Sequence, residues 1–326
     1  MNSFWNTSEH RLRAVWRFLI QGLFFAALLS GFGMAGGAFN AWLPTVVGKE
    51  AGLWTGATLF TLIEPISVIL SIWVCGRWLD RRRFVDFGLH FTRSWWIDFG
   101  FGLGLGAVLM ALIFLVELGL GWVTITAALR TGASSFIGAL LIGLLDFIGV
   151  GISEELISRG YQLRNLAEGL NLPRIGPRRA LILSYLITST MFGLYHLGNP
   201  NMTWISVCNL ILAGLLLGLP YILTGELAIS IGLHITWNFF QGKVFGFPVS
   251  GGASGTTVIA TQQGGPELWT GGAFGPEGGL LGVLTMLLGM VLIVLWLRRR
   301  SGCLVSQERL AIYSSQTGSE QKATED

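Results

Sequence analysis

The sequence predicts an all-α, polytopic transmembrane helical bundle of about eight spans, and three observations lead there. Of the 326 residues, 52% are hydrophobic and only 12% are charged, against about 25% charged in a soluble domain. The apolar residues gather in stretches of about 20, the length that crosses roughly 30 Å of hydrocarbon as a helix. Arginines collect in some of the connections and are nearly absent from others, the pattern that sets topology in a bilayer. A water-soluble protein is excluded on these grounds. The 46 glycines, which would suggest disorder in water, suit lipid, where small side chains let helix backbones approach.

In chain order the candidate spans are residues 18–38, 55–74, 99–118, 135–157, 180–197, 204–223, 227–245 and 279–297. Arg11, Arg13 and Arg17 precede the first, whose length and lack of a cleavage-site pattern mark a retained helix rather than a removed signal peptide. Further clusters are Arg77, Arg81, Arg82, Arg83 and Arg93, then Arg164, Arg174, Arg178 and Arg179, and finally Arg298, Arg299 and Arg300. An even number of spans with both termini inside puts every cluster on the cytoplasmic face of a plasma (inner) membrane. Only Lys49, Arg130 and Lys243 are then left for the outer loops. The arginines are accordingly expected to meet lipid headgroups, with no nucleic acid as partner, and Trp54, Trp95, Trp96 and Trp204 to form interfacial belts. Residues 246–278, rich in Gly, Thr, Ser and Gln, predict a long outer loop without evident chemistry. Residues 301–326 predict a polar, disordered cytoplasmic tail. Cys75, Cys208 and Cys303 are too scattered for a disulfide framework or a cysteine metal site.

An ionisable side chain inside a span costs at least about 2.5 to 3.5 kcal/mol on insertion scales, so each one is a functional candidate facing the bundle interior. Glu154, Glu155 and Arg159 close the fourth span, His196 closes the fifth, and His234 and Asn238 lie in the seventh. Residues four apart share a helix face. Glu155 can therefore pair with Arg159, leaving Glu154 about 100° away and free for other work, while Phe192 sits over His196 and His234 over Asn238. Peptide hydrolysis needs a base to activate water and donors to hold the oxyanion. Glu154 with His196 could supply the first, and His234 with Asn238 the second. Glu64, Glu117, Asp146 and Glu226, also in or near spans, read as structural or ion-pairing groups, with Glu64-Pro65 marking a kinked second helix.

These residues spell Glu-Glu-x-x-x-Arg, Phe-x-x-x-His and His-x-x-x-Asn in order between Ser153 and Phe239. The arrangement resembles the CAAX proteases and bacteriocin-processing enzymes, the CPBP or Abi family of intramembrane proteases, and Ser230-Ile-Gly-Leu-His234 is similar to its local context. The resemblance implies that Glu154 activates the water, that His196 assists, and that His234 and Asn238 stabilise the oxyanion, with Glu155 and Arg159 as support. The substrate implied is a membrane-bound protein or peptide. Ser158 departs from relatives, which often carry Phe there. On this reading the domains are 1–134, N-terminal transmembrane helices; 135–245, the catalytic core; 246–278, the outer loop; 279–300, the last span; and 301–326, the tail.

Glu154, His196 and His234 could together ligate zinc with an open fourth position, and the family is often described as metalloproteases. No His-Glu-x-x-His helix is present, and a metal-free, glutamate-activated water is the preferred expectation. Two other function classes stand beside the protease. An ion-coupled transporter would also use buried acids, but no broken-helix pair or inverted halves are evident; an idle scaffold or immunity protein would not need the intact set. Hydropathy alone also puts Glu154 near the inner end of its span and His196 near the outer end of the next. A shared site therefore requires the fourth helix to continue past Arg159 toward Glu168.

Overall fold

The computed structural model of the protein describes residues 3–302 and 304–313. A short hairpin of β1 (Trp5–Asn6) and β2 (Arg11–Leu12) leads into α1 (Ala14–Val47) and α2 (Lys49–Cys75), which ends in a π turn. Then come α3 (Arg93–Gly119), the strand β3 (Val123–Arg130), α4 (Phe136–Glu155), a π segment over Leu156–Leu163, and α5 (Arg164–Leu170). The chain continues through α6 (Gly176–Tyr195), α7 (Trp204–Thr224), α8 (Ala228–Phe239), β4 (Thr257–Gln263), α9 (Glu267–Thr270) and α10 (Leu280–Ser301). Thr92, Ser135 and Thr203 start α3, α4 and α7 as hydroxyl caps, accepting from the backbone N–H groups of Trp95, Gly138 and Ser206.

Among the described residues, seven helices are long and apolar enough to cross a membrane, so the all-α bundle is as expected. The fourth of them runs unbroken from Phe136 to Leu170, because α4, the π segment and α5 share one axis of hydrogen bonding. The eighth expected span is the shorter α8, extended by a π turn over Phe240–Val244. It is buried at every position from Ala228 to Asn238 except Thr236. A helix buried on nearly all sides belongs in the centre of a bundle, and α8 packs there against α3, α4 and α7.

Glycines make the closest of these contacts possible. A Cβ on Gly102 would stand 2.5 Å from the Ile229 carbonyl oxygen, and one on Gly106 would stand 2.5 Å from that of Leu233. Only the absence of a side chain lets α3 lie this near to the α8 backbone.

The connections differ from expectation in several places. The segment expected as an outer loop, residues 246–278, carries β4, which pairs antiparallel with β3 from Val123↔Gln263 to Arg130↔Thr257. Neither strand was foreseen: their pairing joins residues more than 120 apart in the chain. Trp95 is buried with its indole N–H donating to the Gly88 carbonyl, rather than lying in an interfacial belt. The beginning of the tail is docked: Leu310 and Ala311 are buried, and Gln307 donates from its backbone and side chain to the Ile222 and Leu223 carbonyls. Those oxygens belong to the last turn of α7 and have no partner within the helix. Cys303 and residues 314–326 lie outside the described residues.

Several arginines turn inward instead of outward to headgroups. Glu168 on α5 pairs with Arg11 at 2.7 Å, with Arg17 at 3.1 Å and with Arg82, and Arg17 also pairs with the buried Asp80. The Tyr313 ring covers the Arg11 guanidinium at 3.5 Å. The two described ends of the chain therefore meet at one end of the bundle.

Gly106→Leu is expected to lower the thermal unfolding midpoint in detergent, at a cost of about 1 to 3 kcal/mol from overpacking. Gly104→Ala, whose Cβ meets nothing within 4 Å, should leave the midpoint unchanged.

Candidate active site

Glu155 is the anchor of the site. Its side chain is 0% exposed and accepts at Oε1 from Arg159 Nη1 at 3.0 Å, the i, i+4 pairing foreseen from spacing. The same oxygen meets His234 Nδ1 at 2.8 Å. Arg159, 2% exposed, also donates from Nη2 to the Gly214 carbonyl and lies 4.4 Å above the Phe192 ring. One ion pair thus joins α4, α6, α7 and α8.

The two histidines are held in defined orientations. His196 caps α6, with Nδ1 2.7 Å from the Phe192 carbonyl oxygen and the two rings 5.0 Å apart. A carbonyl only accepts, so Nδ1 carries the hydrogen and Nε2 is the free acceptor in the neutral ring. By the same logic the Glu155 carboxylate takes the Nδ1 hydrogen of His234, leaving His234 Nε2 to face Glu154. That nitrogen is 4.0 Å from Glu154 Oε2. Glu154 Oε2 has no hydrogen-bond partner, although the side chain as a whole is 26% exposed.

Glu154, His196, His234 and Asn238 all line one cavity of about 610 Å³. The helix does continue past Arg159, to Leu170, which sets Glu154 near the middle of its 35 residues. Cavities of this size suit a ligand of several heavy-atom groups rather than a few waters. Ser158, where relatives often carry Phe, lines the same space. Two acids that the sequence reading left aside also reach the wall. Glu64 comes from α2, and Glu277 comes from the turn just before α10. Glu277 is buried and accepts at Oε1 from both the backbone N–H and the hydroxyl of Ser250. Burial pushes its carboxyl above the ordinary value, and the Ser250 donors and the nearby His196 offset part of that rise. The cost of a carboxylate inside a span was a signal for Glu64. Glu277 offered none, lying in a Gly-rich stretch without periodicity.

The other acids do structural work. Glu117 Oε2 accepts from Gln263 Nε2 at 2.8 Å, joining α3 to β4, and Glu226 meets His90 at 2.7 Å. Asp146 faces the charge of Lys243. Among the described residues no three His, Cys, Asp or Glu side chains are gathered so as to hold a metal ion. Glu154, His196 and His234 do not converge as a zinc site in this arrangement.

Residues 136–240 match the family described as Rce1-like, type II CAAX prenyl endopeptidase Rce1-like. The match begins with α4 and ends just after α8, and it bears out the resemblance drawn from Glu154 to Asn238. No curated protein and no solved structure gives a match.

Arg159→Met strands a buried carboxylate, so a loss of about 3 to 5 kcal/mol is expected, visible as a lower unfolding midpoint in detergent. The double variant Glu155→Gln with Arg159→Met should lose less than the sum of the two single changes, because the pair acts as a unit.

Proposed function

We propose that this chain, with residues 136–240 matching the Rce1-like family, is an intramembrane endopeptidase hydrolysing a peptide bond of a membrane-associated protein. The observation that carries the reading is the 4.0 Å separation of Glu154 Oε2 and His234 Nε2 on a cavity wall shared with His196 and Asn238. A single water hydrogen-bonded to both atoms fits that gap.

In this reading Glu154 takes a proton from the water as its oxygen attacks the carbonyl carbon. His196 assists through Nε2, the nitrogen left free by the bond of Nδ1 to Phe192. The developing oxyanion is held by the Asn238 amide and by His234, whose ring enters the step already as the imidazolium beside Glu155, so that its Nε2–H donates throughout and no proton is gained or lost there. Glu155, at 2.8 Å from Nδ1, offsets the imidazolium charge and fixes the ring. Glu155 and Arg159 are positioning residues, since they act through His234 and Phe192. The proton acquired by Glu154 passes to the leaving amine as the carbon–nitrogen bond breaks. The arginine-rich end, with both termini, is assigned to the cytoplasmic side of a plasma (inner) membrane by the charge asymmetry of the connections.

Cleavage of a quenched-peptide library by the purified protein in detergent tests the reading. Glu154→Gln and His196→Ala should each lower kcat by about 10² to 10⁴-fold, and Asn238→Ala by about 10²-fold. Cleavage at wild-type rate in the first two variants overturns the assignment. A chelator should leave the rate unchanged; loss on chelation with recovery on added zinc would replace the metal-free chemistry.

A further inference from the structure

The helix that carries Glu154 continues past it with a second polar reach. Steps of four lead from Glu154 to Ser158 and Gln162, and all three side chains line the cavity. That spacing keeps residues on one helix face, and the last two belong to the π segment over Leu156–Leu163. π turns inside α-helices are frequent at functional positions. The chemistry assigned to Glu154, His196, His234 and Asn238 uses neither Ser158 nor Gln162.

Another part of the wall comes from α1, where Phe18, Gly22 and Phe25 again share a face by their spacing. A Cβ on Gly22 would meet nothing within 4 Å, so the cavity is open beside it. Phe18 follows the buried Arg17, and Gln162 lies toward Glu168, the partner of Arg17. The cavity therefore has an arm that leads from Glu154 toward the arginine-rich end, polar along the fourth long helix and apolar along α1.

Gln162 is 6% exposed, and its amide nitrogen donates to the Tyr195 hydroxyl at 3.2 Å, while its Oε1 is buried without a hydrogen-bond partner. A buried acceptor of this kind costs free energy until a donor reaches it. Tyr195 lines the cavity too, and its hydroxyl, having accepted from Gln162, still carries its own hydrogen to donate. The pair thus offers one acceptor and one donor side by side, and turning the Gln162 amide over leaves one of each all the same. A peptide unit presents the complement, one N–H and one C=O. A lipid chain could satisfy neither group.

We propose that this arm holds the main chain of the substrate in an extended form, with Gln162 and Tyr195 hydrogen-bonding one backbone peptide unit at a distance from the scissile bond. The distance follows from the helix. Gln162 lies eight residues beyond Glu154, about 12 Å at roughly 1.5 Å per residue, and an extended chain covers that in about three or four residues at roughly 3.3 Å each. The inference rests on the endopeptidase reading and says how the site grips its substrate. Recognition at Gln162 is of backbone, so it sets where the chain lies without restricting its side chains, and side-chain preference falls to the apolar face of Phe18 and Phe25.

The test uses full-length protein in detergent carrying Glu154→Gln, so that bound peptide stays whole, with the tightest-binding member of the quenched-peptide library as the probe. Each backbone N–H of that peptide is replaced in turn by an ester oxygen, which removes one donor without adding bulk, and Kd is read by fluorescence anisotropy. One ester should weaken binding about five-fold or more, and that same ester should cost nothing further once Gln162→Met is present. Gly22→Leu, which fills the arm without touching Gln162, should weaken the parent peptide about ten-fold, and it carries the test if Gln162→Met fails to fold. Esters that all bind alike, an ester penalty unchanged by Gln162→Met, or an affinity unmoved by Gly22→Leu would overturn the proposal. Where the protein with Glu154 intact cleaves the peptide, the sensitive ester should sit about three or four residues from the cleaved bond, and a sensitive position next to that bond overturns the arm. Coupling between one ester and Gln162 in a protein that cleaves nothing upholds the grip, and the endopeptidase reading then falls.

Discussion

A guanidinium inside a bundle of apolar helices has to be neutralised where it lies, and the Glu155–Arg159 pair does so at the junction of α4 with its π segment. Much of the interior follows from that constraint. The carboxylate that neutralises Arg159 also orients His234, and the guanidinium that it holds stacks on Phe192 and reaches the carbonyl of Gly214. Because consecutive helical residues diverge by about 100°, fixing Glu155 inward toward α8 turns Glu154 onto the cavity. The pair also lets the helix continue instead of ending at a charge, which is how Glu154 comes to lie in mid-span. Replacing such a pair by apolar residues is often neutral for stability in other proteins. Its value here lies in the orientation of the groups around it.

The two ends of the bundle are closed by different physics. At the arginine-rich end, Glu168 and Asp80 draw Arg11, Arg17 and Arg82 out of contact with headgroups and into a buried cluster. This binds the N-terminal hairpin, the turn after α2 and the end of α5 together, with Tyr313 over the Arg11 guanidinium. At the opposite end the closure is made of backbone. β3 and β4 pair, Asn199 and Asn201 donate to the carbonyls of Ser250 and Gly251, and Gln241 donates to that of Pro248. The result seats Ser250 and Glu277 in the cavity wall, so a segment that carries no apolar pattern still contributes to the site.

The relation between helices and site was legible to an uneven degree. The seven long helices and the ion pair followed from hydropathy and from spacing of four, since both depend on near neighbours in the chain. The pairing of Phe192 with His196 followed in the same way. The contact of His234 with Glu155 joins residues far apart in the chain, and only the packing of α8 between α3, α4 and α7 brings them together. The buried position of Trp95, the docking of Leu310 and Ala311, and the inward turn of Arg17 and Arg82 likewise depend on partners from distant segments.

By itself, the sequence determined that this chain is a helical membrane protein and which few polar residues its spans carry, because the cost of placing polar groups in hydrocarbon acts residue by residue. Only the tertiary structure decided that Glu64 and Glu277 share a cavity with Glu154, that His196 presents Nε2, and that the described ends of the chain meet at one end of the bundle. Those outcomes are set by which helix faces meet and how closely their backbones approach, and glycines such as Gly102 and Gly106 record that approach only once α8 is in place against them.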